Sequence, residues 1–202
     1  LGVSLMNPGN ELLHLWKKIA HKYPHIHLSM VPFKDDADEI IQISEHLGEQ
    51  IDIVFCCCVF NLWAEKNQSL YMAEHALCIA VPNDHPLSGK SILELRDLFG
   101  YTLYMSNPEK AANSIPVAEY LKPYPQIRIQ YDDYTDYTTL SKHSVNKQLT
   151  VIEAGWVSML PMAKAIPVEW DLTVPYGVSY SRHPSQMEPP FIQTLGKEMQ
   201  KS

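Results

Sequence analysis

The chain has 202 residues, 46% of them hydrophobic, enough to bury a core as one domain or as two small lobes. Against 16 Lys and Arg stand 23 Asp and Glu, a net charge of −7. A chain this acidic, with no basic stripe, does not bind nucleic acid through this segment alone. No apolar run approaches the roughly 18 residues of a membrane-spanning helix, so a membrane span is excluded.

Gly is scarce at 8 and Pro plentiful at 15, which predicts firm turns between elements rather than flexible linkers. Four Cys are too few for a disulfide framework, and three of them are adjacent. Free thiols in an apolar run fit a reducing compartment, hence the cytoplasm. The chain opens at Leu1 with neither an initiator Met nor a signal peptide, and is expected to be a fragment of a longer protein.

In chain order, residues 1–6 form a short apolar strand closed by Asn7-Pro8-Gly9. Leu12, Leu15, Trp16, Ile19 and Tyr23 recur at helical spacing, with Asn7 or Asn10 able to cap that helix and Pro24 ending it. A second strand is expected over 26–33, a helix after the acidic run 35–39, and a third strand over 51–60. Strand, helix, strand, helix, strand points to a parallel sheet covered by helices.

The theme repeats. A strand over 76–82 precedes a helix capped by Ser91 and holding Ile92, Leu93, Leu95 and Leu98. A strand at 101–105, a helix near 117–121, a strand at 127–131 and a helix at 137–145 follow. The pattern then gives a strand at 149–152, a helix at 156–163, an alternating strand at 173–181 and a final helix at 191–199. The chain is α/β throughout.

The stretch 74–104 resembles a known family. His75-Ala76-Leu77-Cys78-Ile79-Ala80-Val81 runs into Asp84-His85-Pro86-Leu87, then Leu95-Arg96-Asp97-Leu98 and Thr102-Leu103-Tyr104. This is similar to the strand, His-Pro-Leu turn, Asp-Leu helix and next strand of the effector-binding domain of LysR-type transcriptional regulators. Ile51-Asp52-Ile53-Val54 resembles that family's third strand, and the segment 151–161, ending in Leu160-Pro161, its Gly-rich stretch. There is one departure: Ala154-Gly155-Trp156-Val157 keeps a single Gly and inserts a Trp where the family usually has Gly-x-Gly.

The resemblance implies a type II periplasmic-binding-protein-like fold, two Rossmann-like α/β lobes joined by two crossover strands with an effector cleft between. One lobe would hold 1–80 plus 165–202, the other 81–164. It also implies a winged helix-turn-helix ahead of Leu1, a homodimer, and tetramers of the full protein. DNA would be met only through that absent domain.

Open α/β sheets bind ligands beyond the carboxyl ends of their strands, beside helix N-termini. Ser4, Met6 and Asn7 end the first strand, Met105, Ser106 and Asn107 end its counterpart, and Trp156 follows a further strand end. These are the candidate effector contacts, with Cys56 and Cys57 near the end of the third strand and Tyr131 in a Tyr/Asp cluster at 131–137. Helix N-termini favour an anionic group, so the expected effector is a small carboxylate. Asn7 or Asn10 acting as plain caps, Trp156 as core and the Tyr/Asp cluster as a solvated loop are the competing structural readings.

Cys56-Cys57-Cys58 makes a poor zinc site, since at most Cys56 and Cys58 share a strand face. Small apolar residues filling a buried strand are the simpler reading. His25 and His27 lack a third ligand, and Asp35, Asp36, Asp38 and Glu39 fit acids opening a helix better than a calcium loop. No nucleophile elbow, phosphate loop or recognisable Ser-His-Asp spacing occurs, so neither catalysis nor a cofactor is expected. A ligand sensor of a LysR-type regulator ranks first. A transporter's solute-binding protein and an enzyme on the same scaffold are the rivals.

Overall fold

The computed structural model describes residues 1–57, 66–183 and 189–199. The chain divides into two compact units, Leu1–Glu74 with Pro175–Ser202 and His75–Val174. Strands β4 (Asn67–Pro82) and β9 (Thr173–Ser181) pass from one unit to the other.

In the first unit the sheet runs β2-β1-β3-β9-β4. Strand β1 (Gly2–Val3) pairs in parallel with β2 (Val31–Pro32) and with β3 (Ile53–Cys57), and β3 lies antiparallel to β9. Gly2 is needed where it stands, because a Cβ there would lie 2.9 Å from the Ile51 side chain. All five residues of β3 are buried. Leu47, Ile51, Val54 and Cys56 form a core that Val31, Phe33, Ile40 and Ile43 cover.

Helix α1 (Asn10–Ile19) buries Leu12, Leu15 and Ile19. Neither Asn7 nor Asn10 caps it through a side chain. The cap position is Gly9, in the left-handed region at φ 72°, where Gly avoids the Cβ penalty. Helix α2 (Ala37–Glu45) is capped by Asp36, whose carboxylate accepts the Glu39 N–H at 2.8 Å.

One expectation changes in this unit: the strand over 26–33 shrinks to Val31–Pro32. Ile19 is fully buried, and the Trp16 ring meets Phe191 of the C-terminal helix edge-on at 5.8 Å. The end of the expected strand 51–60, with Cys58, lies outside the described residues.

In the second unit the sheet runs β4-β7-β5-β6, with β8 (Ala163–Pro167) on the other side of β4. Strands β5 (Thr102–Ser106), β6 (Arg128–Asp132) and β7 (Leu149–Glu153) are mutually parallel, whereas β4 runs antiparallel to β7 and β8. Helices α3 (Ile115–Leu121) and α4 (Tyr137–Val145) stand where the sequence places them. Asp136 caps α4 by accepting the Thr139 N–H at 2.7 Å.

The helix expected from Ser91 is instead a single 3-10 turn, Leu95–Leu98. A capping box between Glu94 and Asp97 opens it, while Leu93 bridges to Val168. The helix expected over 156–163 is a 3-10 turn, Ala154–Met159, followed by β8. C-terminal helix α5 (Pro189–Met199) completes the first unit and packs on α1.

Candidate functional site

At the carboxyl end of β1 a tight loop holds the predicted residues. The Ser4 N–H donates to the Asn7 carbonyl at 3.0 Å, and the Asn7 N–H donates back to Ser4 Oγ at 3.0 Å. The Tyr176 hydroxyl, from β9, donates to Asn7 Oδ1 at 2.7 Å. Sequence reasoning missed the central group. Asp35 accepts the Ser4 hydroxyl on Oδ1 and the Met6 N–H on Oδ2, the latter at 2.9 Å. Parallel pairing of Gly2 with Val31 and Val3 with Pro32 carries both chains to the same sheet edge. The side chain of Met6 is buried, so its contact with this edge is made by backbone.

Cys56 and Cys57 belong to the buried strand, at 5% and 2% exposure, and the Cys56 thiol donates to Ser179 Oγ at 3.5 Å. Among the described residues no three His, Cys, Asp or Glu gather as metal ligands. A groove of about 410 Å³ runs along β2 and α2, lined among others by Val31, Phe33, Ile43, Glu39 and His46, and none of the predicted site residues borders it.

The second unit holds the counterpart. Ser106 ends β5, and its hydroxyl donates to Thr135 Oγ1 at 2.5 Å, both residues being buried. The Asn107 N–H donates to the Asp132 carbonyl at 2.8 Å, and Asn107 Oδ1 accepts the Glu109 N–H at 3.0 Å. Met105 is a core side chain at 1% exposure, whereas Tyr131 is 47% exposed. At the end of β7 the buried Glu153 accepts Asn113 Nδ2 at 3.1 Å. Trp156 follows it one 3-10 turn later. Trp156 Nε1 and Asn113 Oδ1 are buried polar atoms without a hydrogen-bond partner among the described residues.

Behind this edge His143 of α4 is buried against Tyr104, with ring centroids 4.6 Å apart. Its Nδ1 meets Thr150 Oγ1 at 3.0 Å and its Nε2 lies 3.5 Å from Asp132 Oδ2. Burial outweighs attraction in this pair. The His143 pKa lies below 6.5 because its cation is desolvated, and the Asp132 pKa lies above 3.8 for the same reason. His85, which accepts the Leu87 N–H on Nδ1 at 3.2 Å to start the His-Pro-Leu turn, is likewise depressed by burial.

Below about pH 6.5 the unfolded chain takes up protons that the folded His143 and His85 refuse, so stability falls as the solution is acidified through that range. Asp132 acts with the opposite sign: its raised pKa adds stability that is lost as the pH rises through that pKa. Urea titrations at about pH 7.5 and pH 5.5 should show a smaller loss for His143→Gln than for the wild type. Equal losses would remove His143 from the account.

No protein-family model and no curated relative matches the sequence. Solved structures match it along its whole length. The effector-binding domain of QuiR in complex with shikimate superimposes with a TM-score of 0.70 at 15% identity, covering 99% of this chain and 95% of that one. The CcmR regulatory domain of Synechocystis PCC6803 in complex with 2-PG gives 0.62 at 13%, covering 99% and 94%. The BenM effector-binding domain with benzoate gives 0.58 at 17%, covering 100% and 90%. These neighbours are effector-binding domains of LysR-type regulators. The chain therefore has their type II periplasmic-binding-protein-like fold.

Proposed function

We propose that this chain is the small-molecule-sensing domain of a LysR-type transcriptional regulator, working in the cytoplasm and without catalytic activity. One observation carries the reading: 99% of the chain matches a domain of that kind, with a TM-score of 0.70. The strand ends support it. The proposed effector contacts are Ser4, Asn7, Ser106, Asn107, Tyr131 and Trp156, with the backbone at Met6 and Met105. A carboxylate on the effector suits Ser106 and Thr135, because Ser106 donates to Thr135 and leaves the Thr135 hydroxyl hydrogen to point onward. Two of the matched domains bind carboxylates, shikimate and benzoate. The effector acts only through a difference in affinity between two arrangements of the protein, and DNA is met by a separate domain.

A thermal-shift screen of organic acids, amino acids and aromatics tests the reading. A ligand at one hundred times its dissociation constant adds about 2.7 kcal/mol, a shift of several degrees. Ser106→Ala should weaken a carboxylate hit about ten- to a hundredfold. A hit untouched by Ser106→Ala would move the site elsewhere.

The domain is further proposed to form a homodimer, with tetramers in the full protein. Lys17 and Lys18 sit in the last turn of α1 and are exposed. Reversing both charges should lower the sedimentation coefficient, and an unchanged value would place the interface away from α1.

A further inference from the structure

The groove along β2 and α2 lies inside the first unit, and at about 410 Å³ it has the size of a small-molecule pocket. Glu39, Gln42, Ile43 and His46 border it at positions i, i+3, i+4 and i+7, so one face of α2 and its C-cap supplies a whole wall. Val31 and Phe33 supply apolar surface from β2 and the residue after it. These two and Ile43 rest on the core of Leu47, Ile51, Val54 and Cys56, so the apolar walls are formed in advance.

The carboxylates along the groove have no basic counterpart on its walls. Glu39 and Glu49 border it, and among the described residues no Lys or Arg does. Glu49 meets His46 at 3.2 Å. The half-buried Glu39 has its backbone N–H held by the Asp36 carboxylate at 2.8 Å, but its own carboxylate has no hydrogen-bond or ion-pair partner among the described residues. An added peptide strand is a poor occupant. β2 is the outermost strand of its sheet, and Val31 and Phe33 turn their N–H groups inward to the Leu1 and Val3 carbonyls. The residue between them, whose N–H would face a new strand, is Pro32, which has none.

We propose that this groove is a second ligand site and that it takes a small organic monocation, a primary amine on an apolar aliphatic or aromatic body. The body lies on Val31, Phe33 and Ile43, and the ammonium donates to the Glu39 carboxylate. An amino acid is a worse fit, because its acid would find no cation on the walls. A metal ion is a worse fit as well, since among the described residues no three His, Cys, Asp or Glu gather as ligands. The site stands independently of the sensor reading, because none of the proposed effector contacts borders it.

NMR titrations of the chain with benzylamine, benzyl alcohol and benzoate test the assignment. Benzylamine should bind about tenfold more tightly than benzyl alcohol, through one charge-assisted hydrogen bond, and benzoate more weakly than either. Glu39→Gln should remove the preference for the amine and leave the alcohol unchanged. Gln42→Trp, at an exposed position of α2, puts a ring into the groove and should abolish binding of both. Glu11→Gln removes the same charge from an exposed position of α1 and should alter neither. A wild type that does not prefer benzylamine, a preference that survives Glu39→Gln, or binding that survives Gln42→Trp overturns the proposal. So does equal weakening by Glu11→Gln, the mark of diffuse attraction to an acidic chain.

Discussion

Trp170→Ala should lower the unfolding free energy by about 4 kcal/mol, the middle of the range for truncating a buried aromatic. The ring is 2% exposed and meets Tyr120 edge-on at 6.1 Å. Its indole N–H donates to the Leu77 carbonyl at 2.9 Å, while the Leu77 N–H donates to the Leu172 carbonyl at 2.8 Å. Leu77 lies opposite Glu153 in the β4–β7 ladder, so the ring braces the strand that sets the position of Glu153. Trp170→Phe keeps most of the volume and loses the hydrogen bond, and should cost about 1–3 kcal/mol. Urea melts of both variants separate packing from hydrogen bonding. A loss below about 2 kcal/mol for the Ala variant would show that the site collapses around the gap.

Gly48→Ala should cost about 2–4 kcal/mol, by adding backbone strain to overpacking. Gly48 has φ 104°, and a Cβ there would sit 2.8 Å from Ser181 Cβ. The turn it makes, with its N–H donating to the Ile51 carbonyl at 2.8 Å, delivers the chain into β3. Gly48→Ala/Ser181→Gly relieves the steric part and should recover only a fraction of the loss. Gly89→Ala is the control: nothing lies within 4 Å of its Cβ position and its φ is ordinary. Indistinguishable denaturation midpoints for the two single variants would refute the strain argument.

The α/β repeat was legible because helical and strand periods alternate cleanly, as in the stripe from Leu12 to Ile19 and the buried run of β3. Misreadings fell where short elements end early for local reasons. The leucines at 93, 95 and 98 suggest a helix. Instead the Glu94–Asp97 box opens the turn, Phe99 and Gly100 leave it, and Leu93 is claimed by Val168. Strand β8 was hidden in Ala163–Pro167 because its register is dictated by β4, a partner about 85 residues away. Helix α1 was found but its cap was not, since the left-handed Gly9 leaves Asn7 free for Tyr176.

At the candidate site, Ser4 and Ser106 are legible through the rule that ligands meet strand ends. Their partners, Asp35 and Thr135, are 31 and 29 residues away and carry no local signature. Asp35 in particular is indistinguishable in the sequence from its neighbours Asp36 and Asp38, which serve the start of α2. Only parallel pairing of β1 with β2 singles it out.

The thiols of Cys56 and Cys57 are buried in the first unit and that of Cys78 in the second, where burial raises its pKa and suppresses the reactive thiolate. Alkylation of each waits on an opening of the structure around it. Peptide mapping after timed exposure to iodoacetamide would therefore report the opening rates of the two halves separately, with the chain's own cysteines as the clocks.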